Sequence, residues 1–511
     1  MSFSRRVDCV SLIIAVAITR VVFRSHYLYD IDSVNYALAL DRFDPVVHQP
    51  HPPGYYLYVY LGRLARIFVP DANGALVTLS IVASCVAALM IYGLATCWFE
   101  RRAAVCAALI FVFSPLCWFH GTVALTYIVE AAFSSTVGYL CWRSFSGDNR
   151  FIVPSAVLLG IATGCRQSSI LFLGPLWLLS LRKAPSKHIC GGVLALGLTV
   201  TAWFAPMLRE SGGAEKYFSS LLLLWRLAGA KDTVFNSSPF MSLARFCTIL
   251  GIAGLCFGSA ALWFFKPRRQ CVAMSSDQDK TLFTWVWIGP GLLFFTFIFL
   301  RYVNSGYLLI LSPPVFAWLG ARASDWYAAS DVKNRKTRLT AVMIVVNIAG
   351  FLFAPVYCSY RSVRETEAEI VSIRRDLIRV AQTRDTVIVG FDSHFLGYRH
   401  AGYYLSHFLT VEYPAVTYPD GDRVFSMVDR DTKLLRTLPA DSIKQFVLFP
   451  LPAGQEYTRY LDEVRKHFPS GVLTSTIVDG REYFTGSAAN LPLLFPGLPA
   501  SSVYTRSHAF E

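Results

Sequence analysis

The chain has 511 residues, 54% of them hydrophobic, 14% aromatic and only 16% charged, and its mean hydropathy of +0.44 lies well above that of an ordinary soluble domain. That balance excludes a soluble enzyme and points to a polytopic α-helical membrane protein. The formal net charge of +13 does not point to nucleic acid, because the basic residues fall in short runs between apolar segments, the positive-inside pattern of a membrane protein.

A helix needs roughly 20 mostly apolar residues to cross the hydrocarbon core, and such stretches recur up to about residue 357. Arg5 and Arg6 hold the start of a first span, 8–23, in the cytoplasm, and no small-residue cleavage site follows, so this segment reads as an uncleaved anchor. Arg20 and Arg24, in and just beyond its last turn, are placed to snorkel to head groups. The far end of the span opens a polar island, Leu28-Tyr29-Asp30-Ile31-Asp32-Ser33-Val34-Asn35-Tyr36, running on to His48-Gln49-Pro50-His51-Pro52-Pro53-Gly54-Tyr55-Tyr56. It reads as an outer loop.

Residues 55–69 are apolar and aromatic but interrupted by Arg63 and Arg66, which suits a helix lying at the outer interface. Further spans read as 75–99, 103–119 and 127–142, then two shorter runs, 151–164 and 168–181, hinged at Cys165-Arg166-Gln167, then 189–208. A second interfacial helix reads at 214–229 from Tyr217, Leu221, Leu224, Trp225 and Ala228 at helical spacing. Residues 240–265, 282–300, 307–321 and 339–357 complete eleven crossings, with Arg101-Arg102, Arg182-Lys183, Arg268-Arg269 and Lys333 to Arg338 inside. The amino end is therefore cytoplasmic and the tail extracytoplasmic. All twelve cysteines lie between Cys9 and Cys358 without paired spacing, and packing is their expected role.

Two domains follow: 1–358, a transmembrane domain whose first outer loop is 25–74, and 359–511, a small α/β domain. In the tail, Ile370, Ile373, Leu377 and Val380 share one helical face. Strands are expected at 386–391, 409–413, 445–449 and 476–483, a helix at 394–405, and poor order over the last 25 residues.

Chemistry is expected in the first outer loop. Asp30 and Asp32, two apart in an extended stretch, would point the same way, and aromatic neighbours would limit solvent around a carboxylate able to act as a base toward a hydroxyl. Glu130, near the outer end of 127–142, is a second candidate, because an acid in a membrane segment is costly without a polar cavity or a partner. His51, Arg166 and Arg301 are candidate phosphate partners on the same face, guanidinium groups pairing phosphate oxygens bidentately, and Tyr127 and Tyr307 are further candidate substrate contacts. The residues prescribe no cofactor and leave a divalent metal open.

The first-loop acid, the following interfacial helix, a second acid in the next outer loop and the soluble outer tail together resemble the GT-C membrane glycosyltransferases. More narrowly, Asp32-Ser33-Val34-Asn35-Tyr36-Ala37, His51-Pro52-Pro53-Gly54-Tyr55 and Gly164-Cys165-Arg166-Gln167 look like the bacterial relatives of protein O-mannosyltransferases and lipid A aminoarabinose transferases. The resemblance covers roughly residues 5–325. It implies a polyprenyl-phosphate sugar as donor, membrane lipids as partners, a glycan, lipid or protein as acceptor, and Asp32 as the base that deprotonates the acceptor. Relatives often place Glu just before an aromatic in the second outer loop, where this chain has Leu125-Thr126-Tyr127, its nearest acid being Glu130. A transporter or flippase of a lipid-linked saccharide is the alternative, although repeated halves and broken helices near the midplane are not evident in the sequence.

Overall fold

A computed structural model describes residues 3–227, 233–265, 274–298, 305–328, 333–354, 357–381, 385–391, 393, 396–406, 408–413, 416–417, 423–424, 443–450, 458, 461–462, 464–469 and 471–494. The chain divides into two compact units, Met1–Ser25 with Pro53–Ala214 and Leu221–Val363, and His26–Pro52 with Glu215–Ser220 and Arg364–Glu511. Much of the first outer loop thus groups with the tail, where the sequence placed it with the membrane domain.

The first unit is helical. Its helices begin with α1 (Phe3–Val22), and α2 (Ile31–Asp41) belongs to the second unit; the order then runs α3 (Tyr56–Arg66), α4 (Ala72–Trp98), α5 (Arg101–Val112), α6 (Pro115–His120), α7 (Tyr127–Phe145), α8 (Ile152–Cys165), α9 (Ser169–Ser180), α10 (Ser186–Glu210), α11 (Ala214–Leu227, whose residues Glu215–Ser220 group with the second unit), α12 (Pro239–Phe257), α13 (Met274–Leu293), α14 (Ser312–Ala328) and α15 (Lys333–Phe353). Among the described residues four helices are long and apolar enough to cross a membrane, Ala72–Trp98, Ser186–Glu210, Pro239–Leu262 and Gln278–Ile298. The others are shorter or carry more charge, as α1 does with Arg5, Arg6, Asp8 and Arg20.

The run 103–119, expected as one span, is two helices. Ser114 caps α6 by accepting a hydrogen bond from the Cys117 N–H at 3.3 Å, and Pro115 has no N–H with which to continue α5. A helix end leaves carbonyls without partners, and the Val112 carbonyl freed here accepts from Arg20 Nη1 at 2.6 Å. Arg20 is accordingly fully buried, its guanidinium 5.8 Å from the Trp118 ring centre. This corrects the snorkelling expected of it. The hinge at Cys165-Arg166-Gln167 is present as expected, since α8 ends at Cys165 and α9 begins at Ser169.

In the second unit, α16 (Tyr360–Val380) turns Ile370, Ile373 and Leu377 into a core. Strand β1 (Thr386–Phe391) pairs in parallel with β2 (Leu409–Tyr413), Val387 opposite Leu409, and α17 (Tyr398–Tyr404) lies between them in sequence. Two short strands, β3 (Val416–Thr417) and β4 (Arg423–Val424), pair antiparallel. β5 (Gln445–Leu448) flanks β1 on its other side, and β6 (Thr474–Val478) with β7 (Arg481–Ser487) completes a five-stranded sheet of order β2-β1-β5-β7-β6. Side chains alternate along β1: Val387 and Val389 join one core with Val411, Phe446 and Leu448, while Ile388 and Val447 join the α16 face.

The stretch 476–483 is a hairpin where one strand was expected. Its turn, Asp479-Gly480, has positive φ at both residues, 47° and 82°, the backbone that Asp-Gly favours in a tight hairpin. Order also extends further than expected at the carboxyl end: α18 (Leu491–Leu494) packs Leu491 and Leu494 into the sheet core. Part of the helix expected at 394–405, residues 394–395, lies outside the described residues; α17 accounts for 398–404.

Candidate active site

The second unit carries Asp30, Asp32 and His51. The expected loop around the two acids is instead the start of a helix, because Asp30, in extended backbone, caps α2: its side chain accepts from the Asp32 N–H at 2.8 Å, the standard service of an Asp at that position. Asp30 and Asp32 therefore have different environments. Asp30 is 5% exposed, and burial, reinforced by the charge of Asp32, raises its carboxyl well above the usual carboxylate range. Asp32 lies in the first turn, where the helix N-terminus favours negative charge, and its Oδ1 stands 3.2 Å from His51 Nδ1, the two side chains 17% and 20% exposed.

His51 is brought back to Asp32 by a tight reversal. Asp44 and Gln49 exchange backbone hydrogen bonds, Asp44 N–H to Gln49 O at 2.6 Å and Gln49 N–H to Asp44 O at 2.9 Å. Within that ring a single 3₁₀ turn, Pro45–Val47, is capped by Asp44 and closed by His48 in left-handed backbone, φ 60°. Tyr55, which leads into α3, is also left-handed, φ 47°. Such backbone is uncommon outside glycine and costs of order 1–3 kcal/mol. Sequence gave no sign of it beyond the Pro and Gly breaks.

The first unit carries a second acid–base pair. Glu130 projects from the first turn of α7 and meets Arg166, at the C-cap of α8, with 2.8 Å between Oε1 and Nη1; the side chains are 4% and 12% exposed. Three tyrosine rings surround the guanidinium carbon, Tyr127 at 4.9 Å, Tyr307 at 5.2 Å and Tyr55 at 6.0 Å from their centres. Four residues singled out separately in the sequence, Tyr127, Glu130, Arg166 and Tyr307, are thus one cluster. Tyr55 and Gly306 complete it unforeseen. A Cβ at Gly306 would come within 2.1 Å of Tyr127 Cγ, so only glycine lets Tyr127 and Tyr307 approach, edge to face at 5.6 Å.

A permanently charged guanidinium held by one carboxylate and flanked by π-faces is fixed in place. The carboxylate–imidazole pair of the second unit, partly open to solvent, can instead take up and pass on a proton. Arg301 lies outside the described residues. Among the described residues no group of three or more His, Cys, Asp or Glu gathers as metal ligands.

Residues 46–189 match a family model described as the Protein O-mannosyl-transferase TMEM260 N-terminal domain. No curated protein matches the chain in sequence. Among solved structures the chain is similar to ArnT from Cupriavidus metallidurans bound to undecaprenyl phosphate, with a TM-score of 0.55 and 13% identity over 94% of this chain and 97% of that one. The apo state of the same protein gives 0.56 at the same identity and coverage. The Archaeoglobus fulgidus oligosaccharyltransferase tethered with an acceptor peptide aligns at a TM-score of 0.46 and 12% identity, over 87% of this chain and 69% of that one. At these identities the ArnT likeness is one of fold. The fold is GT-C-like, as the sequence resemblance implied.

Proposed function

We propose that the chain is a membrane glycosyltransferase that moves a sugar from a polyprenyl-phosphate donor to an acceptor hydroxyl on the outer face of the membrane. The observation that carries the reading is the Asp32–His51 pair, set on a GT-C-like fold similar to one crystallised with undecaprenyl phosphate. Asp32 is assigned the role of base. The acceptor oxygen attacks the anomeric carbon as Asp32 takes its proton, the bond to the donor phosphate breaks, and polyprenyl phosphate leaves with the bonding electrons. One displacement inverts the anomeric configuration. His51 orients the Asp32 carboxylate and accepts the proton from it afterwards, which returns the base to its starting form.

Arg166 is assigned to binding the donor phosphate, whose oxygens a guanidinium pairs through charge-assisted hydrogen bonds, with Tyr127 and Tyr307 lining its faces and Arg301 as a further candidate. Glu130 holds Arg166 in position. Asp30, whose ionisation burial opposes and which caps α2, orients the turn that carries Asp32. Eleven crossings, a cytoplasmic amino end, a membrane domain to residue 358 and an extracytoplasmic tail remain the preferred topology, supported by the basic clusters on every inner loop.

The test is direct. Purified protein is incubated with a panel of radiolabelled polyprenyl-phosphate sugars and a mixture of glycan, lipid and peptide acceptors. Label released from the lipid into an acceptor supports the reading, and a panel that stays entirely lipid-linked while the protein moves the same lipids across a vesicle membrane replaces it with the flippase.

A further inference from the structure

The tail holds the catalytic segment from both ends. His26 and Tyr27 donate their backbone N–H groups to Glu367 Oε1 on α16, at 2.6 and 3.3 Å. Leu28 donates its N–H to the Tyr404 hydroxyl on α17 at 2.6 Å. At the other end, Arg399 on α17 donates from Nη2 to the Val47 carbonyl at 2.9 Å and from Nε to the Tyr398 hydroxyl at 2.8 Å. Between the two anchor points lie Asp30 and Asp32, and just past the second lie His48 and His51.

The anchoring groups are placed where they cannot slip. Arg399 is 3% and Glu367 7% exposed, while Leu28 and Tyr29 are 0% and 2% exposed. Glu367 is itself held by Arg364, with 2.6 Å between Oε2 and Nη1. Tyr404 packs its ring edge to face on Tyr27 at 5.3 Å, and α17 lies against α2, the helix that Asp30 caps. Backbone groups of an irregular segment must find partners when buried, and here the partners are side chains more than three hundred residues later in the chain. The segment's shape is therefore specified by the tail.

We infer that Glu367, Tyr404 and Arg399 are positioning residues that set the Asp32–His51 geometry, and that the extracytoplasmic tail is a working part of the catalytic apparatus. The inference rests on the assignment of Asp32 as base. Catalytic groups displaced by about 1 Å can lose on the order of 10²-fold in rate, so loosening either anchor acts on turnover before it acts on donor binding. Arg399 is the sharper probe, because a buried guanidinium making two hydrogen bonds in fixed directions is poorly replaced by an ammonium.

The experiment uses the full chain with Arg399→Lys, Glu367→Gln and Tyr404→Phe, reading hydrogen–deuterium exchange of peptides spanning 26–52 alongside kcat and donor KM. Faster exchange confined to that segment, with kcat lowered 10-fold or more and donor KM within about 2-fold, is the expected result. Tyr404→Phe should show the smallest change, since it removes one acceptor only. Unchanged exchange in 26–52 overturns the anchoring itself, whatever the activity. Faster exchange with kcat intact leaves the anchoring but overturns its catalytic purpose. Faster exchange with no transfer even in the wild type instead overturns the functional reading on which the proposal rests. Exchange raised throughout the chain marks Arg399 and Glu367 as general stability residues and also contradicts the proposal.

Discussion

Two acid–base pairs of this chain are alike in distance and differ in what they can do. Asp32 and His51 meet at 3.2 Å with about a fifth of each side chain open, a carboxylate beside an imidazole, between which a proton can pass. Glu130 and Arg166 meet at 2.8 Å almost fully buried, inside three tyrosine rings, and the guanidinium keeps its proton at any physiological pH. The first arrangement suits moving a proton; the second suits holding a charge still. Exposure and the choice between imidazole and guanidinium, rather than distance, separate the two.

The largest effect expected of any single substitution should fall on the first pair. Asp32→Asn keeps the shape and the hydrogen bonding but cannot take the acceptor's proton, so turnover should drop by roughly 10²-fold or more, the usual size of general-base catalysis, while the thermal midpoint stays near wild type. The second pair should respond in the opposite parameter. Arg166→Ala should weaken donor use through apparent affinity, by about 1.5–3 kcal/mol for a lost charge-assisted contact, with folding destabilised as well because Glu130 is left buried without its partner. If Arg166→Ala lowered kcat alone, the two pairs would not be divided as argued.

Gly306→Ala tests whether the aromatic enclosure matters to Arg166. The added methyl meets the Tyr127 ring, and the expected outcome is a weaker donor affinity, smaller than that of Arg166→Ala and measured in the same titration. An unchanged affinity would separate the rings from the guanidinium's task.

Smaller still is the effect of Asp30→Asn. Asn caps helices about as well as Asp, and it removes a carboxyl whose ionisation burial opposes. That penalty is absent in acid, where Asp30 is protonated in both states, and grows as pH rises above the unfolded value near 3.8. At neutral pH the variant should therefore melt slightly later than wild type, and turnover should change far less than for Asp32→Asn. His400 works in the other direction. Burial pushes its imidazole down to about 4, although the nearby backbone of Leu28 and Tyr29 opposes the shift, so the unfolded chain binds a proton that the folded unit refuses as pH falls below about 6.5. Stability should decline as pH falls from about 6.5 toward 4, and His400→Gln should flatten that slope in a denaturation series.

Most helices of the membrane region were legible because apolar runs and basic clusters alternate along the sequence, and a hydrophobic run reports itself without reference to its neighbours. The same holds for β1, β2 and β5, short runs of mostly β-branched, aromatic and leucine residues. Legibility failed where a single polar group decides the local path: Ser114-Pro115 dividing one expected span, Asp30 turning a loop into a helix, Asp479-Gly480 folding one strand into two. Arg20 reads as a snorkelling residue in sequence because its partner, a carbonyl freed by that same division, exists only in three dimensions. Tyr127, Glu130, Arg166 and Tyr307 were each found in the sequence, but their convergence, and the part of Tyr55 and Gly306, belongs to packing. Arg399 and Glu367 carried no local signal, since an arginine in Tyr398-Arg399-His400 and a glutamate on a charged helix are ordinary until the distant backbone they hold is known.

The central claim is that Asp32 moves a proton during sugar transfer. It is tested most directly by a single-turnover measurement in which purified wild type and Asp32→Asn, each saturated with whichever polyprenyl-phosphate sugar the wild type uses, are mixed with acceptor. The account predicts equal donor binding in the two proteins and a transfer step slower by roughly 10²-fold or more in Asp32→Asn. Transfer at a near wild-type rate by the variant, with donor bound equally, would contradict it.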